Sequence, residues 1–207
     1  MIDYFVALLP ALFLGFMSIV LVAQGGDDRQ KTLGTLGGAF LFSALATPFI
    51  DVHWTTKTLL ISFLSGLILG FGQYLQILCL KVLGVSRTMP LTTAGQIIFM
   101  CLGGIILFGE MNHGLALVFA LSSIALLTLG VVFISKTEKT QEAAAENVDW
   151  KRGTILLVIS TACLVAYLLI VQGFGLDGRS VILPQSVGYF LVGLIATIPA
   201  LSPQLGK

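Results

Sequence analysis

The stretch from Gly72 to Gln96 places polar side chains inside an otherwise apolar part of the chain. Gln73 and Gln76 are three residues apart, and Thr92 and Gln96 are four apart, so each pair would share one face of a helix. Amides and hydroxyls both donate and accept hydrogen bonds without carrying a charge, which suits a solute with many hydroxyl groups. This spacing therefore favours a binding site for a small polar solute such as a sugar.

An aromatic ring beside these side chains, Tyr74 or Tyr167, would cover the apolar face of a sugar. The alternative is that the glutamines and the threonine only join helices to one another, as such residues commonly do in membrane bundles at about 1 kcal/mol per hydrogen bond. That alternative stays open for any single residue, while the cluster as a whole favours solute binding. The predicted substrate-binding residues are Gln73, Tyr74, Gln76, Thr92 and Gln96.

Ionisable side chains are the usual sign of ion coupling within a membrane, and none lies near the middle of a predicted span. Asp51 and Glu110 come at the outer ends of the second and fourth predicted spans. They are the candidates for coupling, with a purely interfacial role as the alternative. His53 and His113 stand alone in connectors, and no metal-ligand or catalytic spacing is present. The sequence therefore predicts no metal, no cofactor and no enzymatic activity.

Membrane helices must position these residues, because the composition makes the bilayer the solvent. Of the 207 residues, 57% are hydrophobic and 10% are charged, against about 25% charged in a soluble domain. The net charge of +1 argues against a nucleic-acid partner. A spanning helix needs about 20 mostly apolar residues. The sequence thus predicts an all-α integral membrane protein, a multi-helix bundle within the lipid bilayer, with seven transmembrane helices at 4–23, 32–50, 58–80, 88–108, 113–134, 153–173 and 180–201.

The positions of the lysines and arginines predict the orientation. Only Lys57 and Arg179 fall in even-numbered connectors. Eight others fall in the first, third and fifth connectors: Arg29, Lys31, Lys81, Arg87, Lys136, Lys139, Lys151 and Arg152. Lysine and arginine accumulate on the cytoplasmic side of membrane proteins. We therefore predict a multi-pass protein of the cell membrane with its N-terminus outside.

A longer polar connector, 136–152, divides the chain. It separates a first five-helix transmembrane repeat, 1–135, from two further helices in 153–207, and the charge pattern makes it cytoplasmic. Because five is odd, a second five-helix unit would enter the membrane with the opposite orientation, which is the inverted-repeat arrangement of many transporters. The two last helices would then begin an incomplete second repeat, with a simple run of seven spans as the alternative.

Small residues at four-residue spacing predict where helices approach closely. Gly34 and Gly38 form one such ladder in the second predicted span, and Ser62, Gly66 and Gly70 form another in the third. Lipid supplies no hydrophobic force that pairs helices, so close packing of small side chains must do so. Both ladders are predicted to lie at helix–helix contacts.

The link between the third and fourth spans predicts how the polar side chains meet. Met89-Pro90 suits a helix start, since proline is tolerated in the first turn, and Ser86 or Thr88 would cap that end. Because the link is short, the two helices should be antiparallel neighbours. Their polar faces would then meet on the cytoplasmic side of the midplane, with Gln96 nearest the centre.

The segment GQYLQILCLKVLGVSRTMPLTTAGQIIFMCLGGIILFGE, residues 72–110, resembles the bacterial glucose/ribose uptake (GRP) sugar transporters of the drug/metabolite transporter superfamily. ALLPALFLG near the start and DGRSVILPQSVG later in the chain are also similar to that family, so the likeness covers essentially the whole chain. The residues that carry it are Gly72-Gln73, Gln76, Gly84-Val85-Ser86, Met89-Pro90, Gln96 and Phe108-Gly109-Glu110.

The resemblance implies a ten-helix transporter of two inverted repeats that imports a monosaccharide of the glucose or ribose type, together with protons, by alternating access. Members of that family are longer, so helices eight to ten are expected to lie outside this sequence. The sequence would then be a fragment, or two chains would assemble as a homo-oligomer. The alternatives are a drug or metabolite exporter of the same fold and a membrane assembly partner that transports nothing.

Overall fold

A computed structural model describes residues 27–109, 114–141 and 149–198, together with the isolated positions 9, 12, 13, 16 and 20. The three continuous ranges contain α-helices and one short 3₁₀ turn, Thr47–Phe49, and no strand. The helices are α1 Asp28–Ala46, α2 Thr56–Leu83, α3 Val85–Phe108, α4 Gly114–Gln141, α5 Trp150–Gly173 and α6 Gly178–Thr197.

Six of the predicted spans correspond to these helices, and all six are long and apolar enough to cross a membrane. The all-helical prediction is confirmed for the part of the chain that the structure describes. Of the first predicted span, 4–23, only the five isolated positions are described, and all five are helical; the others lie outside the described residues. In the predicted connector 136–152, α4 continues to Gln141 and α5 begins at Trp150, while 142–148 lie outside the described residues.

The link between α2 and α3 is the single residue Gly84, whose φ of 82° is a conformation that favours glycine. The predicted start of the next helix at Met89-Pro90 is wrong, because α3 begins at Val85 and Pro90 lies inside it. Ser86 and Thr88 do not cap this end. Instead the Thr88 hydroxyl donates to the carbonyl of Cys79, 3.2 Å away, and ties the start of α3 to α2. Pro90 is the sixth residue of α3 and lacks the N–H that would bond the carbonyl of Ser86, so the helix has one backbone hydrogen bond fewer there.

Helix α2 is the centre of the bundle, because both α5 and α6 pack along it. Leu83 meets Gly153 near one end of the α2–α5 contact, and Gly72 meets Cys163 further along, so these two helices are antiparallel. On the outside of this core, α1 packs on α6, α3 packs on α5, and α4 packs on α3.

The ladder Ser62, Gly66 and Gly70 lies at the contact between α2 and α6, as predicted. Ser62 is completely buried. A Cβ on Gly66 would meet the backbone carbonyl oxygen of Gln185, and a Cβ on Gly70 would lie 2.8 Å from the Cα of Tyr189. The order of these contacts makes α2 and α6 parallel. Small residues therefore let two backbones touch here.

The second predicted ladder does not lie at a contact between the described helices. Gly34 and Gly38 are exposed, and among the described residues a Cβ built on either meets nothing within 4 Å. The contact of α1 with α6 runs instead through Leu36 and Gly37, which touch Gly193 and Phe190. A glycine pair four residues apart marks one stripe of a helix, and here a different stripe packs.

The helix directions collect the basic residues at one end of the bundle. This basic end carries the starts of α1, α3 and α5 and the end of α2, with Arg29, Lys81, Arg87 and Lys151 among its side chains. The opposite end carries Lys57, whose Nζ lies 5.4 Å from the centre of the Phe174 ring. The lysines and arginines that the sequence concentrates in the odd-numbered connectors therefore also lie mostly at one end of the folded bundle.

Candidate functional site

Helix α5 lies between α2 and α3 and is held to both through consecutive residues. The Ser160 hydroxyl donates to the carbonyl of Gly72 on α2 at 2.9 Å. The Thr161 methyl carbon Cγ2 lies 3.0 Å from where a Cβ on Gly95 of α3 would be. Both side chains are buried, with exposures of 0% and 1%. The two residues mark one level in the bundle at which three helices meet.

Two predicted site residues lie at that level. Gln73 follows Gly72 on α2, and Gln96 follows Gly95 on α3. Both side chains are partly exposed, and neither forms a hydrogen bond with another described residue. Their amide groups therefore keep their hydrogen-bonding capacity for a solute. We call Gln73, Gln96, Ser160 and Thr161 the polar level.

The other two polar side chains predicted to bind the solute, Gln76 and Thr92, lie nearer the Gly84 turn. Thr92 is 1% exposed and donates to the carbonyl of Thr88 at 2.7 Å. The Gln76 amide nitrogen lies 4.0 Å from the sulfur of Met89. The Thr92 hydroxyl therefore already donates its hydrogen bond within α3, and Gln76 connects α2 to α3.

The prediction that the polar faces of α2 and α3 meet directly is correct only beside the turn. There Thr88 bonds Cys79 and Gln76 approaches Met89. Farther from Gly84 the two helices separate, because α5 packs against both. Glycines that face α5, such as Gly72 and Gly95, give it the space to do so.

Tyr74 does not join the polar level. It is two residues from Gly72, which places it on the opposite side of α2. Its ring packs 6.5 Å from the ring of Phe71, and it lies within electrostatic reach of Arg29 on α1. Tyr167, the other aromatic candidate, is partly exposed on α5.

The two coupling candidates lie apart from the polar level. Asp51 is exposed, just after the 3₁₀ turn that ends at Phe49, at the end of the bundle opposite the basic end. Glu110 and His113 lie outside the described residues. The structure therefore places one coupling candidate in a connector and describes nothing of the other.

A second set of buried polar side chains joins α1, α2 and α6, and the sequence interpretation missed it. Gln185 donates from its amide nitrogen to the Ser65 hydroxyl at 3.1 Å, and Ser65 donates to the Ser62 carbonyl at 2.8 Å. The Tyr189 hydroxyl lies close to Ser43 of α1 and Ser186 of α6, whose own hydroxyls donate to the carbonyls of Ala39 and Leu183. The available signal was a run of polar residues after Pro184, in PQSVGY.

Among the described residues, two hydroxyl oxygens are buried without a hydrogen-bond partner: Thr161 Oγ1 at the polar level and Ser62 Oγ in the second set. A buried hydroxyl without a partner costs about 1–3 kcal/mol. Thr161, like Ser160, was missed, since the run TILLVISTACLVAYLL gives no sign of which face its polar residues occupy.

Arg87 holds α3 and α5 together at the basic end. Its guanidinium carbon lies 4.8 Å from the centre of the Trp150 ring, and the side chain is 5% exposed. An arginine over an indole face is an attractive cation–π pair. The starts of the two helices that carry Gln96 and Thr161 are thus fixed side by side.

Comparison with known proteins decides the family. The sequence profile described as "Sugar transport protein" matches residues 5–205. The chain belongs to this family. A probable glucose uptake protein of Bacillus cereus is 34% identical over 197 residues, covering 95% of this chain and 69% of that protein. The glucose uptake protein of Bacillus subtilis is 31% identical over 195 residues, covering 94% of this chain and 68% of that protein.

The resemblance drawn from residues 72–110 is therefore confirmed at the level of the family. The chain spans about two thirds of the length of these curated relatives. No solved structure matches the chain.

Proposed function

We propose that this family member takes part in sugar uptake and binds a monosaccharide of the glucose or ribose type at the polar level. The observation that carries the proposal is that uncharged polar residues on three helices, Gln73, Gln96 and Thr161, lie at one depth of an apolar bundle. Neutral amides and hydroxyls match the hydroxyl groups of a sugar and do not hold it so tightly that release fails. The names of the B. cereus and B. subtilis relatives, both called glucose uptake proteins, support a sugar as the solute.

Transport would proceed by alternating access, in which α5 moves against α2 and α3. Two features support this. The contacts of α5 run through Gly72, Gly95 and Gly103, whose smooth surfaces allow helices to shift without separating large interlocked side chains. Gly84 alone links α2 to α3, so one residue absorbs a change in their angle.

Protons would drive the uptake, with Asp51 and Glu110 as the proposed coupling residues. Among the described residues of the helices, carboxylates occur only near helix ends. The proposal therefore places proton exchange at the outer end of the bundle, in contact with water. In the cell membrane, the basic end would face the cytoplasm and the N-terminus would lie outside.

Uptake into proteoliposomes tests the proposal. Because the chain spans about two thirds of its relatives, the vesicles contain either the 207-residue chain or a chimera in which it is followed by the C-terminal third of the B. subtilis relative. We expect saturable uptake of radiolabelled glucose or ribose by at least one of them, faster with an inward proton gradient. The intact B. subtilis protein is the positive control.

Two results would contradict different parts. If both proteins leave the vesicles without saturable sugar uptake while the control transports, the sugar-uptake proposal is overturned. Saturable uptake that does not respond to the gradient removes only the proton coupling.

A further inference from the structure

Thr161 differs from the other buried hydroxyl residues around it. In membrane helices, serine and threonine commonly satisfy themselves by donating to a backbone carbonyl one turn earlier. Thr92 does this with Thr88, and Thr128 does it with Ile124 at 2.8 Å. Ser160 donates across to α2. Thr161 Oγ1 does none of these and is buried without a partner.

Packing alone does not explain a threonine here. Its methyl carbon takes the contact with α3, 3.0 Å from the would-be Cβ of Gly95, whereas Oγ1 lies 3.8 Å from it. A valine would keep that methyl contact and would avoid burying an unsatisfied hydroxyl. A residue that costs stability at the point where three helices meet indicates that the hydroxyl serves the ligand.

We propose that Thr161 is a specificity-determining residue whose hydroxyl hydrogen-bonds one hydroxyl group of the sugar, between α3 and α5 and beside Gln96. This inference rests on the sugar site proposed above and adds a contact from α5. In the conformation described, α3 closes over Thr161. Separation of Gly95 from Thr161 would open the position to the solute, so the closed contact and the sugar compete for the same surface.

Two substitutions separate a ligand contact from a packing role. Thr161→Val keeps the shape and removes the hydroxyl, and Thr161→Ser keeps the hydroxyl and removes the methyl group. We expect Thr161→Val to raise the Kd for radiolabelled D-glucose about five- to tenfold, while its Tm rises by about 2 °C. We expect Thr161→Ser to bind glucose nearly as the unchanged protein does, with a lower Tm because the contact with Gly95 is lost.

Binding is measured by scintillation proximity on purified protein in lipid nanodiscs, for both the 207-residue chain and the chimera. Thr128→Val is the matched control, since it also removes a helical hydroxyl, on the exposed helix α4. It should leave the Kd unchanged. With 2-, 3-, 4- and 6-deoxyglucose as competitors, Thr161→Val should weaken every sugar except the one that lacks the partner hydroxyl.

The outcomes distinguish this inference from the proposed function. If the unchanged chain and chimera both fail to bind radiolabelled glucose and radiolabelled ribose, the sugar site itself is wrong and this contact fails with it. If they bind glucose and Thr161→Val binds it equally well, only the role of Thr161 is overturned. If the substitution that lowers the Tm is also the one that raises the Kd for glucose, Thr161 is a packing residue.

Discussion

At the scale of single residues, the predicted sugar contacts divide by what their polar atoms already do. Gln73 and Gln96 form no hydrogen bond with another described residue, whereas Thr92 donates to the Thr88 carbonyl. A partly exposed side chain that forms no hydrogen bond within the bundle can bond a ligand more readily than one whose donor is already in use. Gln96 is therefore the amide of α3 whose removal should affect binding most.

Gln96→Ala should raise the Kd for glucose about tenfold, because an amide can both donate to and accept from neighbouring sugar hydroxyls. The Tm should change little, since no described residue depends on this amide. The measurement is glucose binding together with thermal unfolding.

Gln30→Ala is the control for that substitution. Gln30 is an exposed amide near the start of α1, remote from the polar level along its helix. Equal affinity in Gln96→Ala and Gln30→Ala would show that Gln96 does not contact the solute.

Sequence periodicity could find the glutamines but not Thr161. Gln73, Gln76, Thr92 and Gln96 stand out because helical spacing pairs them. Thr161 stands beside Ser160 in a uniformly apolar run, and only the position of α3 shows that its hydroxyl lacks a partner.

At the scale of helices, small residues predicted one contact and failed at another. The Ser62–Gly66–Gly70 ladder packs on α6, where Gly188 also brings its backbone against Phe63. Gly34 and Gly38 have the same spacing but are exposed. The reason is that close approach needs a small surface on both helices, and spacing on one helix says nothing of its partner.

Gly66→Ala and Gly34→Ala should change stability in opposite directions. The added methyl group at Gly66 meets the Gln185 backbone, which cannot move away cheaply, so we expect a loss of about 2 kcal/mol. At Gly34 the methyl group meets nothing within 4 Å, and the gain in helix propensity should be up to about 1 kcal/mol.

Thermal unfolding of the two variants in the same detergent checks this pair. A Tm at or above that of the unchanged protein for Gly66→Ala would mean that α2 and α6 do not cross at Gly66.

At the scale of the whole molecule, α5 determines the site. The sequence predicts α2 and α3 as neighbours because the link between them is short. Farther away, α5 separates them and supplies Ser160 and Thr161. A helix more than forty positions later in the chain thus completes a site that local spacing assigned to two helices.

The orientation of the bundle gives a prediction for the whole protein. If the basic end faces the cytoplasm, a cysteine at Arg179 should react with a membrane-impermeant maleimide in intact cells, and a cysteine at Lys151 should not. Both side chains are exposed, at opposite ends of α6 and α5. The native free cysteines, Cys79, Cys101 and Cys163, are first replaced by serine or alanine.

Permeabilised cells provide the control, since both introduced cysteines should then react. Labelling of the Lys151→Cys variant alone in intact cells would place the N-terminus inside and reverse the proposed orientation.

The sequence by itself determined the membrane environment, the positions of six helices, the uneven distribution of basic residues and the family, because each depends on composition or on local pattern. The tertiary structure alone decided that Pro90 lies within α3, that Gly37 rather than Gly34 packs, and that Thr161 faces Gly95. These facts depend on which face of each helix meets a neighbour. In a membrane that choice follows from how well the surfaces of two helices fit together, because any apolar helix face is equally stable in contact with lipid.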